Sequence, residues 1–262
     1  MPNDKSRRIN ITDIGIDPVD NAGAAQKIAS MVNDRAGLRA KDGYSAAYVC
    51  TPNAEIMMDA QKDAQLKQIL IEADLVIPDG AGVVLAARLL GYGKITRTPG
   101  YDVIINLLSN PDVYPFSFYF LGGKPGVAEA AAENINKNNP GTKIAGMRDG
   151  YFNEDAVNSV IKRINESGAD ILLVALGSPK QEKWIYANRH AINAAVCIGV
   201  GGTIDGIAGL VKRAPPFFRN HGMEWLYRLA REPWRIKRMM KLPKFIFGTV
   251  WARLFGEKTP HA

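Results

Sequence analysis

Five short stretches of the chain carry more polar chemistry than turns require. "CTPNAE" (50–55) sets Thr51 and Asn53 after an apolar run, "IPDGAG" (77–82) sets Asp79 between an apolar run and a helical pattern, and "KITRTPGYD" (94–102) brings Arg97. "ALGSPKQEKW" (175–184) carries Gln181 and Glu182 facing a loop mouth, and "GVGGTIDGIAG" (199–209) carries Gly201, Gly202 and Asp205. An acid at the mouth of a pocket can take a proton from an attacking hydroxyl. Arginines and backbone N–H groups can hold phosphate, and glycines let a ligand approach the backbone closely. Each residue also has a plainer use. Asp79 stands where a helix cap belongs, Thr51 or Asn53 can cap the helix that follows with Glu55 at a capping-box position, and Ser178 can cap the next with Pro179 in its first turn. Capping accounts for one residue in each loop, but not for the clusters.

The elements that must position these loops are legible in the apolar pattern. Strands are expected at "SAAYVCT", "DLVIP", "FSFYFLG", "KIAGM", "DILLVALG" and "AAVCIGVG". Between them, "NAEIMMDAQKDAQLKQILIEA", "GAGVVLAARLLG", "GVAEAAAENINKNN", "EDAVNSVIKRINESG" and "SPKQEKWIYANRHAI" show helical spacing or an Ala-rich face. "RINITDIGIDPVD" adds a short strand or hairpin before a first helix, "AGAAQKIASMVNDR". This alternation predicts an α/β, Rossmann-like fold: a mostly parallel sheet with helices on both faces. In such sheets ligands bind beyond the carboxyl ends of the strands, where the polar loops fall.

At about residue 210 the pattern changes. Of the net charge of +7, residues 211–262 hold twelve basic side chains against three acids, which leaves the first 210 residues at −2. The same segment contains Trp225, Trp234 and Trp251 and is broken by prolines into short helices. Met223, Leu226, Tyr227 and Ala230 share one helical face, and Phe245, Ile246, Thr249, Val250 and Leu254 share another. The expected organisation is a catalytic domain over 1–210 and a basic, aromatic, amphipathic appendage over 211–262 that docks on an anionic membrane surface. The N-terminus lacks an apolar signal core, and the apolar window around 192–211 is too broken to span a bilayer, so a cytoplasmic protein peripheral to the membrane is expected. Cys50 and Cys197, each in an apolar run, read as reduced core residues.

Other functions are weakened by what the sequence lacks. Gly122, Gly123 and Gly126 do not form the G-x-G-x-x-G dinucleotide fingerprint. There is no Asp-x-Asp pair to hold a divalent metal on a nucleotide sugar, and the three histidines (His190, His221, His261) do not suggest a metal site. No cofactor and no metal are therefore expected, and a bound diphosphate must be neutralised by Arg, Lys and helix N-termini. The basic tail could contact nucleic acid, but the polar loops would then have no task, so nucleic acid is not an expected partner.

Taken together and in this order, "TPNAEI", "IPDGAGVV", R-x-x-G-x-D at 97–102, "LGSPKQEKWI", "GVGGTIDGIAG" and "KRAPPFFRNHGMEWLYRLAREPWRIKRM" resemble the WecG/TagA/CpsF family of bacterial glycosyltransferases, from about residue 10 to 247. The resemblance implies an inverting, metal-independent enzyme at the inner face of the cell membrane. The implied reaction moves N-acetylmannosamine from its UDP donor to the 4-hydroxyl of undecaprenyl-diphosphate-linked N-acetylglucosamine, in wall teichoic acid synthesis. Other members use other UDP-hexoses, such as UDP-N-acetylmannosaminuronic acid. Carried over residue by residue, it makes Asp79 the general base, Thr51 and Asn53 a polar pair lining the pocket, and Gln181 a pocket glutamine. Arg97 becomes an arginine near the donor or acceptor diphosphate, and Asp205 a nucleotide-side aspartate. Arg228, Arg235 and Arg238 become tail arginines that fold over the site and stabilise the leaving UDP. The implied partners are the UDP-sugar, the polyprenyl-linked acceptor, the membrane and further copies of the chain in a homo-oligomer.

Overall fold

A computed structural model describes residues 5–39, 41–211, 213–220, 223–231, 236 and 240–255. An N-terminal hairpin, β1 (Ile9–Ile11) and β2 (Ile14–Ile16), precedes α1 (Asn21–Arg35). Then come β3 (Ala47–Cys50), α2 (Ala54–Ala60), α3 (Ala64–Glu72), β4 (Leu75–Val76), α4 (Ala81–Leu89) and α5 (Gly100–Ser109). The second half runs β5 (Ser117–Gly122), α6 (Val127–Asn138), β6 (Lys143–Arg148), α7 (Val157–Ser167), β7 (Ile171–Ala175), α8 (Lys180–Asn188), β8 (Val196–Gly199) and α9 (Thr203–Ile207). Among the described residues, α10 (Pro216–Asn220), α11 (Glu224–Arg231) and α12 (Lys241–Phe255) follow.

Strands β3 to β8 form one sheet in the order β4-β3-β8-β7-β5-β6, with every pair parallel. The central strands "SFYFLG" and "ILLVA" are buried along their whole length, as strands covered on both faces must be. Alternate residues feed two cores. Tyr48, Leu121, Val174 and Cys197 face the layer that holds Leu66, Ile69 and Ile185, while Val49, Phe120, Leu173 and Ile198 face Ile28, Leu107 and Ala131. The Rossmann-like expectation is met.

Two local differences from the sequence pattern have simple causes. The run from Asn53 to Ala73 divides into α2 and α3 because Asp63 caps a new helix, its Oδ1 accepting the Leu66 N–H at 3.0 Å. Helix α5 has no polar cap residue, since Pro99 stands at its cap position without a side-chain hydrogen bond, and Asp102 in the first turn is its one mark of a start.

The connections create the site. From β3 the chain moves outward to β4, and from β5 outward to β6 on the opposite side, before returning inward through β7 and β8. Loops leaving β3 and β8 diverge, as do those leaving β5 and β7, so crevices open at the carboxyl ends of both pairs.

Candidate functional site

The first crevice gathers Thr51, Asn53, Asp79 and Arg97. Asn53 caps α2: its Oδ1 accepts the N–H groups of Glu55 at 2.9 Å and Ile56 at 3.1 Å. Ile56, not Glu55, is therefore the third helical residue, and no capping box forms; Glu55 lies 3.7 Å from Lys241 Nζ instead. Asp79 does not cap α4. Gly80 takes that position at φ +86°, and as a glycine it offers no side-chain cap. A glycine tolerates that backbone, so the turn is made one residue later than the cap reading requires and Asp79 is half-buried beside it.

Close approaches fix the neighbours. A Cβ on Gly80 would lie 3.5 Å from Asn53 Cβ, and one on Gly100 would meet Thr51 at 2.9 Å. The Thr98 N–H donates to Pro78 O at 3.0 Å, while its buried hydroxyl donates to Val19 O at 2.6 Å. The stretch carrying Arg97 thus runs beside Pro78 and Asp79. Arg97 is half-buried and its guanidinium meets the carboxylate of Glu224, the first residue of α11.

The second crevice is a cleft of about 740 Å³ lined by Lys124, Tyr151, Phe152, Lys180 and Asp205 among others. Tyr151 is 67% exposed at this cleft. The Arg148 guanidinium and the Lys180 ammonium lie 5.6 Å and 6.0 Å from the Phe152 ring centroid, which concentrates positive charge along one wall. Lys124, Lys180 and Tyr151 did not stand out in the sequence. "FLGGKPG" fails the dinucleotide fingerprint, yet its glycines have a clear cause: a Cβ on Gly122 would come within 2.3 Å of Ala175 O.

The start of α5 links the two crevices. Gly100 abuts Thr51, and the next residue, Tyr101, packs where a Cβ on Gly206 would sit 2.8 Å from its ring. Gly206 adjoins Asp205.

Gln181 and Glu182 do not face the loop mouth; they are 4% and 3% exposed. Ser178 and Pro179 precede α8 without a side-chain cap, Pro179 itself occupying the cap position. Gln181 Oε1 accepts the Gly201 N–H at 3.0 Å, and its Nε2 donates to Glu182 Oε1 at 2.9 Å. The Gly201 amide is thus engaged within the protein, while Gly202 is exposed at the start of the five-residue α9. Burial pushes the Glu182 carboxyl above the usual carboxylate range, and the Gln181 hydrogen bond works in the opposite direction. Cys50 and Cys197 are free and buried; burial raises both thiols, that of Cys197 to about 12.

Among the described residues, no three or more His, Cys, Asp or Glu side chains gather as metal ligands, and no helix is long and apolar enough to cross a membrane. Arg235 and Arg238 lie outside the described residues, as does the side chain of Arg228. The last helix lays Phe245 and Thr249 inward, with Leu242 and Ile246 against the same core, and turns Phe247 and Trp251 outward. Leu242 lies 2.4 Å from where a Cβ on Gly82 would stand, and Lys241 pairs with Asp59 at 2.7 Å.

A doubly wound parallel sheet with charged crevices at its carboxyl edge is an architecture that many nucleotide-binding proteins share. The glycosyl transferase WecG/TagA/CpsF family matches residues 9–259, and the chain belongs to that family. It is 39% identical over 204 residues to the N-acetylglucosaminyldiphosphoundecaprenol N-acetyl-beta-D-mannosaminyltransferase of Bacillus subtilis. It is 37% identical over 205 residues to the protein of the same name from Bacillus spizizenii; each match covers 78% of this chain and 79% of the relative.

Proposed function

We propose that this glycosyltransferase moves N-acetylmannosamine from UDP to the 4-hydroxyl of undecaprenyl-diphosphate-linked N-acetylglucosamine, inverting the anomeric centre. The observation that carries this reading is the convergence of Asp79 with Thr51, Asn53 and Arg97 in one crevice, joined through the start of α5 to the cleft of Asp205, Lys124 and Lys180. The names of the two Bacillus relatives support the choice of donor sugar and acceptor.

In this reaction Asp79 takes the proton of the acceptor hydroxyl as its oxygen attacks the anomeric carbon from the face opposite UDP. The bond from that carbon to the diphosphate breaks, and its electron pair leaves on the phosphate oxygen. Lys124, Lys180 and the arginines meet that growing charge, with Arg228, Arg235 and Arg238 assigned to the same task and no metal required. Asp205 and the exposed Tyr151 take the nucleoside. Asn53 shapes the pocket through the cap it makes, and Gln181 through the Gly201–Gly202 turn it holds.

Residues 211–262 form the membrane-docking segment in this reading. Exposed Phe217, Trp225, Leu226, Phe247 and Trp251 in a strongly basic segment suit an anionic leaflet and support a site of action at the inner face of the cell membrane.

The test is a transfer assay with a short-chain lipid-diphosphate N-acetylglucosamine acceptor and a panel of UDP-sugars, including the mannosaminuronic acid, with product stereochemistry read out. UDP-N-acetylmannosamine should give a β-linked disaccharide lipid. Asp79→Asn should lose about 10²–10⁴ in turnover and still bind UDP. Near-normal turnover in that variant rules out Asp79 as the base, and no transfer from any UDP-sugar ends the reading as a whole.

A further inference from the structure

Glu224 opens α11 and is only 9% exposed. An acid in the first turn of a helix suits the helix dipole, but an exposed side chain would do that equally well. This carboxylate has instead been drawn between two guanidinium groups from separate parts of the chain. Its Oε2 meets Arg97 Nη2, and its Oε1 lies 3.9 Å from Arg213 Nε. Arg213 is itself locked in place. It forks onto Asp102 at 2.5 Å and 2.8 Å, and its guanidinium stands 4.6 Å from the Tyr101 ring centroid. Tyr101 and Asp102 belong to the first turn of α5, the turn that touches Thr51 through Gly100. Burying this side chain removes hydration, and the two guanidinium groups take the place of the lost water. The socket is therefore built from the catalytic crevice itself.

We infer that Glu224 is a positioning residue: through Arg97 and Arg213 it seats α11 against the crevice and fixes the guanidinium of Arg97, whose backbone runs beside Pro78. The inference rests on the transferase reading for what the crevice does. Position 228 lies one turn beyond Glu224 on the same side of α11, because residues four apart in a helix are neighbours. Seating Glu224 thus fixes where the first of the tail arginines begins. It also gives Arg97 a role distinct from direct contact with either substrate, that of the crevice's grip on the tail.

The experiment uses the full chain with Glu224→Gln, Glu224→Asp, Arg213→Gln and the double variant Glu224→Gln/Arg213→Gln. Turnover and KM are read with UDP-N-acetylmannosamine and the short-chain acceptor, UDP affinity is measured separately, and trypsin cleavage reports whether the basic segment beyond α11 is held. Misplacing a positioned group by about 1 Å can cost about 10²-fold in rate. Glu224→Gln should therefore lower kcat by at least about tenfold with UDP affinity retained, and trypsin should cut the tail faster. Arg213→Gln should reproduce that pattern, Glu224→Asp should recover part of the rate, and the double variant should be no worse than the poorer single one. Wild-type kcat in either Glu224→Gln or Arg213→Gln overturns the inference, as does a parallel loss of UDP binding and fold in both. If the wild-type chain transfers no sugar, the transferase reading fails alone, and the trypsin pattern of the same variants still decides whether Glu224 seats the tail.

Discussion

Gln181 Oε1 accepts the Gly201 N–H at 3.0 Å, and this one bond ties the first turn of α8 to the glycine turn that presents Asp205. The amide packs closely against β8, since a Cβ on Gly199 would come within 2.9 Å of Gln181 Nε2. Two loops that leave neighbouring strands are thereby held in one register.

Gln181→Leu keeps the volume and removes the acceptor. Leaving the Gly201 N–H without its partner should cost about 1 kcal/mol in urea unfolding, toward the lower end for a group that water can partly reach. UDP should bind more weakly as the Asp205 turn loosens. Unchanged stability together with unchanged UDP affinity would remove this bond from the account.

Glu182 predicts a pH dependence of stability. Its carboxyl is raised in the fold by burial above the ordinary value of 4.5. The native state then holds the proton more tightly than the unfolded chain does. The associated stability is fully present below 4.5 and is lost as pH rises through the raised native value. Glu182→Gln is neutral at every pH, so its melting temperature relative to wild type should climb across that window and then level off. A difference that stays flat with pH contradicts the assignment.

The two faces of α12 should behave in opposite ways. Phe245 is 1% exposed within the core, so Phe245→Ala should cost about 3–5 kcal/mol in chemical unfolding. Phe247, two residues on and outward-facing, should change stability by no more than about 0.5 kcal/mol when replaced by Ala. Phe247→Ala combined with Trp251→Ala should instead weaken sedimentation with anionic liposomes. Equal stability losses at 245 and 247 would show that the helix is seated differently.

Tyr151 offers a ring at the mouth of the Asp205 cleft. Stacking a base on an aromatic ring contributes about 1–3 kcal/mol, so Tyr151→Ala should weaken UDP binding by about fivefold or more with stability unchanged. Calorimetric titration of UDP measures it, and an unaltered affinity would move the nucleoside elsewhere.

Much of the fold was written in apolar periodicity. The continuous apolar runs at 117–122 and 171–175, short and bounded by turn residues, read as strands covered on both faces, and the helices between them follow from spacing. Helix α5 was not legible, because Pro99 gives it no polar cap. The site divides in the same manner. Thr51, Asn53, Asp79, Arg97, Gln181 and Asp205 stood out as polar residues within two positions of a glycine or proline, whereas Lys124, Lys180 and Tyr151 resembled ordinary surface residues.

The sequence by itself determined the strands, the loops that follow them and the uneven charge, because hydrophobic period, turn residues and ionisable groups are local properties. Only the tertiary structure decided what those loops share. Gly80 rather than Asp79 caps α4, since backbone conformation and not residue preference sets the cap. Gln181 turns inward to Gly201 rather than toward the loop mouth. Glu224, remote in sequence from Arg97 and from Asp102 of α5, meets the first directly and approaches the second through Arg213. Such pairings depend on the order in which strands lie side by side, and no window of sequence records that order.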